Sequence, residues 1–304
     1  MIGDGRLEPA YEHCRKLTAT HGRSYYLGTQ LLSRRQRAGV YALYGFARMV
    51  DDIVDTGSGQ HRLSALDAIE ADLHAALSDP GHLPRRPEVL AVADTITTFD
   101  IDHRYFDAFM RSMRMDIPDS DIHVARYRTM AELRDYMYGS ASVIGLQMLP
   151  ILGTVVAGDV AITPARALGD AFQLTNFIRD AGEDLDRDRI YLPTDELAVF
   201  GVDESMLRRC RRTGQVPGEL RRALAHLIAL TRAEYRRAEP GIEMLSPSSR
   251  PGIRAAFTMY RAILDEVERS GYRVLTERVR VSKPARLGHV ARAVSTRGRT
   301  LARS

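Results

Sequence analysis

The chain has 304 residues, of which 44% are hydrophobic and 27% charged, with a formal net charge of +4; this is the composition of an ordinary globular protein with one large or two ordinary domains. Its two cysteines, Cys14 and Cys210, exclude a disulfide framework and point to a reducing cytosol. The N-terminus has no apolar signal core, and no run reaches the ~18–20 apolar residues that span a bilayer; the nearest, 141–156, is broken by Gly145, Gln147, Pro150 and Gly153.

Period-two alternation is scarce, and apolar residues recur at helical spacing along the chain. Ser33 and Gln36 form a capping box that opens a helix through "YALYGFARMVDDIVD", Tyr41 to Asp55, with Gly57 and Gly59 as stop signals. Leu66, Ile69, Leu73 and Leu77 mark a second helix, and Phe106, Phe109, Met110 and Met113 a third. Thr129 and Glu132 form another capping box, at the start of a long helix toward Leu152. Thr163 and Pro164 fit the N-cap and first residue of the next. Later helices are expected over 218–238 and 251–269. No repeat or low-complexity segment occurs, so one all-α domain over 1–304 is the simplest account. From Glu277 onward the chain is strongly basic, with Arg278, Arg280, Lys283, Arg286, Arg292, Arg297, Arg299 and Arg303. Such a tail is either solvated or touches anionic lipid; no nucleic-acid partner is expected.

Two stretches carry candidate chemistry. Asp51, Asp52 and Asp55 sit at the C-terminal end of an apolar helix, where carboxylates are disfavoured by about 0.3–1 kcal/mol each. In "QLTNFIRDAGEDLDRDRIYLP", Gln173, Asn176, Asp180 and Asp184 fall on one helical face, with Glu183 at its border. Asp51 with Asp55, and Asp180 with Asp184, are i, i+4 pairs that repel unless a cation or arginine lies between them. The donors are all oxygen, which suits Mg²⁺ bridging carboxylates to substrate phosphates and does not suit zinc. Arg48 and Arg179 stand beside the acids, ready to meet phosphate oxygens.

These motifs, in this order, resemble those of the squalene/phytoene synthases, which join two prenyl diphosphates head to head. "HGRSYY" from His21 resembles the family's H-x-K-S-F segment, and "YGFARMVDDIVD" its first aspartate-rich motif. "YMYGSASVIG" resembles its Y-x-Y-G-x-A-x-x-x-G helix. "NFIRDAGEDLDRDRIYLP" resembles its second aspartate-rich motif with the R-x-R-x-Y-L-P continuation, and "MYRAILDEVERSGY" its late helix. Together they cover roughly residues 10–290.

The resemblance implies an all-α, single-domain bundle of the class I isoprenoid synthase type with a central cavity. It implies that His21, Gly22, Arg23, Ser24, Tyr44 and Arg48 contact diphosphate, and that Gln173, Arg179 and Tyr260 contact substrate. Asp51 and Asp55 would hold Mg²⁺ on one wall, and Asn176, Asp180 and Asp184 on the other, with Mn²⁺ as a substitute. Tyr138 would face the reacting centre. Arg23 and Tyr25 stand where the family usually has Lys and Phe. The implied reaction is that of a bacterial phytoene synthase: two geranylgeranyl diphosphates condense through a cyclopropyl diphosphate to phytoene, with no need for NADPH. Alternatives on the same fold are C15 condensation to squalene, dehydrosqualene or presqualene diphosphate, and a terpene cyclase. A cytoplasmic protein with peripheral contact at the inner membrane face is expected.

Overall fold

The computed structural model describes residues 5–56, 60–282, 284–286, 288, 289 and 291, with residues 23–25 and 60 described as backbone only. Gly57, Gly59 and the basic residues Lys283, Arg292, Arg297, Arg299 and Arg303 therefore lie outside the described residues, as do the side chains of Arg23 and Ser24.

Local signals set several of the helix starts. After α1 (Leu7–His21) and the short α2 (Arg23–Thr29), the Gln36 amide N–H donates to Ser33 Oγ at 3.3 Å and the Ser33 N–H to Gln36 Oε1 at 3.2 Å. That reciprocal pair opens α3 (Arg34–Thr56). Leu66, Ile69 and Leu73 form the buried stripe of α4 (Gln60–Ser78), and Pro87 takes the first position of α5 (Pro87–Phe99). The buried face of α6 (Arg104–Met115) carries Phe106, Phe109, Met110 and Met113. Thr129 and Glu132 complete a full capping box before α7 (Met130–Met137).

Two helix readings need correction. The helix expected to run on toward Leu152 is divided: a π-helical turn, Tyr138–Ser142, separates α7 from α8 (Val143–Leu152). A π-turn inserts one residue and rotates the next helical segment about its axis, and such turns concentrate at functional sites. Pro164 does not begin a helix. It lies inside α9 (Gly158–Asp186), in the second turn. There the missing N–H forfeits one helical bond, and the ring packs so closely on Gly241 that a Cβ there would sit 2.7 Å from the Pro164 Cβ.

The chain continues through α10 (Thr194–Ala198), α11 (Glu204–Thr213), α12 (Gly218–Ala238), α13 (Gly241–Met244) and α14 (Arg250–Arg269). Among the described residues there is no strand beyond two isolated bridges, Arg126 with Ile190 and Thr154 with Leu245. One apolar cluster joins α3–α6 to α8, and a second joins α7, α9, α12 and α14. Each buried Leu, Ile or Phe in them contributes about 1.5–3 kcal/mol. Cys14 and Cys210 are buried free thiols.

The segment after α14 has the sequence of a basic tail. Its first part is instead a packed strap: Val279 and Val281 are buried, and a Cβ at Gly182 of α9 would lie 2.5 Å from the Leu275 carbonyl oxygen. No helix among the described residues is long and apolar enough to cross a membrane.

Candidate active site

Between the two apolar clusters lies a cavity of about 1080 Å³, lined on one side by α3 and on the other by α9. The two acidic stretches, distant in sequence, face this one space. Asp51 and Asp55 line it from α3, and Asn176, Asp180, Glu183 and Asp184 from α9. Asp52 does not line it. Its carboxylate instead takes Arg48 Nη2, while Arg48 Nη1 reaches Asp51 at 3.4 Å. Asp52 thus orients the arginine that borders the cavity.

On the α9 wall, Arg179 pairs with its neighbour Asp180, Nε to Oδ1 at 2.8 Å. The strap supplies a second cation: Arg278 Nε lies 3.1 Å from Asp180 Oδ1 and Arg278 Nη1 3.4 Å from Glu183. Asn176 Nδ2 donates to Gln173 Oε1 at 3.4 Å, and both residues line the cavity.

The chain then turns sharply. Asp188 adopts a left-handed conformation, φ 59°, an arrangement that Asp tolerates better than most residues, and its carboxylate reaches outward to Arg126 at 2.7 Å and to Arg208. The flanking residues both turn back to α3, where Arg187 Nη1 meets Asp55 Oδ2 at 2.9 Å and Arg189 Nη1 meets Oδ1 at 3.2 Å. Behind them lies a buried cluster that the sequence did not single out. Asp116 accepts from the Tyr136 hydroxyl at 2.6 Å and from the Tyr191 hydroxyl at 2.7 Å, and its carbonyl accepts from Arg189 at 3.0 Å. Complete burial pushes the Asp116 carboxyl up, while Arg189 and the two phenols oppose the shift. Phe177 stacks on Tyr191, centroids 4.4 Å apart. The only sequence signal was Arg189 and Tyr191 two apart in an extended segment, where alternate side chains share a face.

Other expected residues divide. His21, Gly22, Tyr44 and Arg48 border the cavity, as do Gln173, Arg179 and Tyr260. Gly22 lets the chain pass close over Tyr44, because a Cβ there would fall 2.7 Å from the phenol ring. Burial pushes the Tyr44 hydroxyl up to about 12, against Arg48. Tyr260 stacks on Phe172 at 4.3 Å. Tyr138 is a correction. It is 40% exposed, does not line the cavity, and carries Arg166 over its ring at 5.3 Å. Two residues along a helix turn the side chain by about 200°, so Tyr136 faces inward and Tyr138 outward.

The acids show the electrostatic cost of facing one another. Burial, then the like charge of Asp55, raises the Asp51 carboxyl to about 6. Half of the Asp51 side chain is accessible, but the space it meets is the cavity rather than bulk water. Burial, then Asp180, raises Asp184 to about 8, and its side chain has no ion pair or hydrogen bond among the described residues. Asn176 Oδ1 is buried and unpartnered. Asp51 and Asp184, raised by burial and like charge, beside an orphaned amide oxygen fit a hard divalent cation. Among the described residues no three His, Cys, Asp or Glu side chains converge on one point. The acids stand as pairs on two walls, so such an ion would complete its shell with substrate oxygens and water.

Away from the acids the cavity becomes apolar. It follows α9 back through Phe172, Leu168 and Ala165 to Ala161, opposite Ile144 and Met148 of α8.

Comparison with known proteins points to one family. The sequence profile of the squalene/phytoene synthase family matches residues 18–285. Phytoene synthase from Arthrospira platensis is 36% identical over 285 residues, 90% of this chain and 88% of its own length. Chloroplastic phytoene synthase 2 from Solanum lycopersicum is 36% identical over 292 residues, 93% of this chain and 89% of its own. The chloroplastic enzyme of Narcissus pseudonarcissus is also 36% identical, but the match spans only 65% of that longer protein. Among solved structures, a dehydrosqualene synthase in complex with ligand superposes with a TM-score of 0.84 at 26% identity, covering 95% of this chain and 97% of the other. Squalene synthase HpnC from Alicyclobacillus acidocaldarius gives 0.75 at 28%, covering 88% and 95%.

Proposed function

The chain belongs to the squalene/phytoene synthase family of prenyltransferases, and from that premise we propose that it condenses two geranylgeranyl diphosphates head to head, through a cyclopropyl diphosphate, to phytoene. The carrying observation is that two acidic walls, on α3 and α9, face a single cavity of about 1080 Å³ that is polar at one end and apolar at the other. The C20 substrate is favoured by the phytoene synthases at 36% identity.

In this reading Asp51 and Asp55, with Asn176, Asp180 and Asp184, hold Mg²⁺. Held there, the ion would supply positive charge to the departing diphosphate and so stabilise the negative charge that develops. Arg48 and Arg179 grip phosphate oxygens with planar guanidinium forks, Arg48 being aimed by Asp52. His21 and Gly22, which border the cavity, meet the diphosphate, and Gln173 and Tyr260 orient the substrate. Ionisation leaves an allylic cation that water would quench, so the apolar walls of α8 and α9 keep the site dry. Phe172, Tyr260 and Tyr136 line the cavity, and a cation–π contact with an aromatic ring contributes about 0.5–2 kcal/mol. The cation adds to the second prenyl double bond, and loss of a proton from the resulting cation closes the cyclopropane ring. A second ionisation, rearrangement and loss of one proton complete the triene, without a reductant. The protein works in the cytoplasm, with peripheral membrane contact for release of the lipid product.

Purified protein with Mg²⁺ is given C15 or C20 prenyl diphosphate, with and without NADPH. The expected product is phytoene from the C20 substrate, independent of NADPH. A product from C15 alone overturns the substrate assignment, and no diphosphate release from any prenyl diphosphate overturns catalysis.

A further inference from the structure

Two guanidinium forks fill the Asp180 carboxylate. Arg179 places Nε 2.8 Å from Oδ1 and Nη2 2.5 Å from Oδ2. Arg278, from the strap, places Nε 3.1 Å from Oδ1 and donates from Nη2 to Oδ2 at 3.3 Å. A carboxylate offers about four lone-pair sites, and four guanidinium nitrogens meet them here. Asp180 can therefore ligate a cation only if one fork withdraws. Arg179 is the neighbouring residue on α9 and its side chain is 17% exposed, whereas Arg278 comes from another segment and is 40% exposed. Arg278 also has a second acid within reach, its Nη1 lying 3.4 Å from Glu183 Oε2. Glu183 stands about one turn beyond Asp180 on α9 and lines the same cavity. The other cations near Glu183 are committed elsewhere. Arg211, which feels its charge, holds Asp186 and the Leu275 carbonyl, and Arg187 holds Asp55. Arg280 lines the cavity but forms no ion pair with either acid among the described residues.

We propose that Arg278 and Glu183 are positioning residues for the metal: when a divalent cation takes Asp180, the Arg278 fork passes from Asp180 to Glu183. The inference rests on the reading of Asp180 as a metal ligand. Val279 and Val281 are buried, which fixes the strap backbone, so the exchange is a swing of one side chain. The displaced guanidinium is not left unpaired beside the incoming cation, a cost that would otherwise oppose loading. Glu183 thus acts through Arg278 rather than as a ligand. A planar fork and a hard cation compete for the same two oxygens, and the outcome sets the metal affinity of the α9 wall.

The test is titration of Mn²⁺ into purified, substrate-free protein, with free Mn²⁺ read by electron paramagnetic resonance and folding checked by circular dichroism. Arg278→Lys keeps the charge and loses the planar fork. It is expected to bind Mn²⁺ tighter than wild type by about threefold or more, where charge repulsion alone predicts no change. Glu183→Gln removes the receiving acid and is expected to weaken binding by about the same factor. In an Arg278→Gln background the same substitution should have no effect, because no fork has to be received. An unchanged affinity for Arg278→Lys overturns the proposal, as does a Glu183→Gln effect that persists in full without Arg278. Tightening by Arg179→Lys in place of Arg278→Lys overturns it too. Asp180→Asn separates the parent reading. If that variant keeps the wild-type affinity, or if neither wild type nor Arg278→Lys binds Mn²⁺, Asp180 is not a metal ligand and both readings fall. If Asp180→Asn weakens binding while Arg278→Lys does not tighten it, the exchange alone fails.

Discussion

Arg189 places Nη1 3.2 Å from Oδ1 of Asp55, closing 134 residues of sequence. Its Nη2 holds the Asp116 carbonyl, so one side chain ties the first acidic wall to the buried tyrosine cluster. Arg189→Met strips a cation from Asp55 and a donor from a buried carbonyl. The expected loss is about 2–4 kcal/mol of unfolding free energy, read by urea denaturation. A loss under about 0.5 kcal/mol would show that the contact acts as an ordinary surface pair.

Stability without metal should fall as pH rises. Asp51 and Asp184 bind protons more tightly folded, at about 6 and about 8, than at the ordinary 3.8. In that window the folded state holds more protons than the unfolded state, so raising the pH from about 4 to about 8 removes stability. Thermal melts with a chelator should show a lower midpoint at pH 8 than at pH 5.5, by about a few degrees. Mg²⁺ should restore the midpoint at pH 8 by supplying the missing charge. A flat profile, or no response to Mg²⁺, would contradict the electrostatic reading of the two walls.

Tyr136 and Tyr138 should respond oppositely. Tyr136→Phe removes the hydroxyl that meets Asp116, with an expected cost of about 1–2 kcal/mol in stability and a lower kcat. Tyr138→Phe alters an exposed ring outside the cavity and should leave kcat within about twofold, the range of a surface substitution. If Tyr138→Phe were the damaging variant, the inward face of this helix would have been misidentified.

Gly139→Ala tests the close crossing of the π-turn over α6. A Cβ there would strike the Ala108 backbone carbonyl and Ser112 Oγ. Backbone cannot yield as a flexible side chain can, so a loss of about 1–3 kcal/mol is expected, measured by denaturant midpoint at unchanged m-value.

Much of this was legible because it is local. Ser33–Gln36 and Thr129–Glu132 are capping boxes whose partners lie three residues apart, and they form as written. The two acidic faces were legible for the same reason, since i, i+4 spacing fixes a face before any tertiary contact exists. What escaped depends on distance or on a local break in periodicity. Asp116 reads as a stray acid after Met115, and only the fold brings Tyr136, Tyr191 and Arg189 to it. The sequence points to Tyr138 over Tyr136 because a motif names residues without stating which way they face. Pro164 carries the chemistry of a helix start, and packing on Gly241 overrode it. The strap at Arg278 to Val281 resembles a solvated tail because of its arginines, yet the valines decide its burial.

Ala161 and Asp184 belong to the same helix and mark opposite ends of the same cavity. At 1.5 Å per residue, the 23 steps between them measure about 34 Å. A single rigid rod is therefore both the anchor of the ionic end and the gauge of the oily end. One turn of that rod, about 5.4 Å, is close to the length of an extended five-carbon isoprene unit. Moving a bulky side chain one turn along α9 would lengthen or shorten the admitted guest in increments of the same five carbons from which isoprenoids are built.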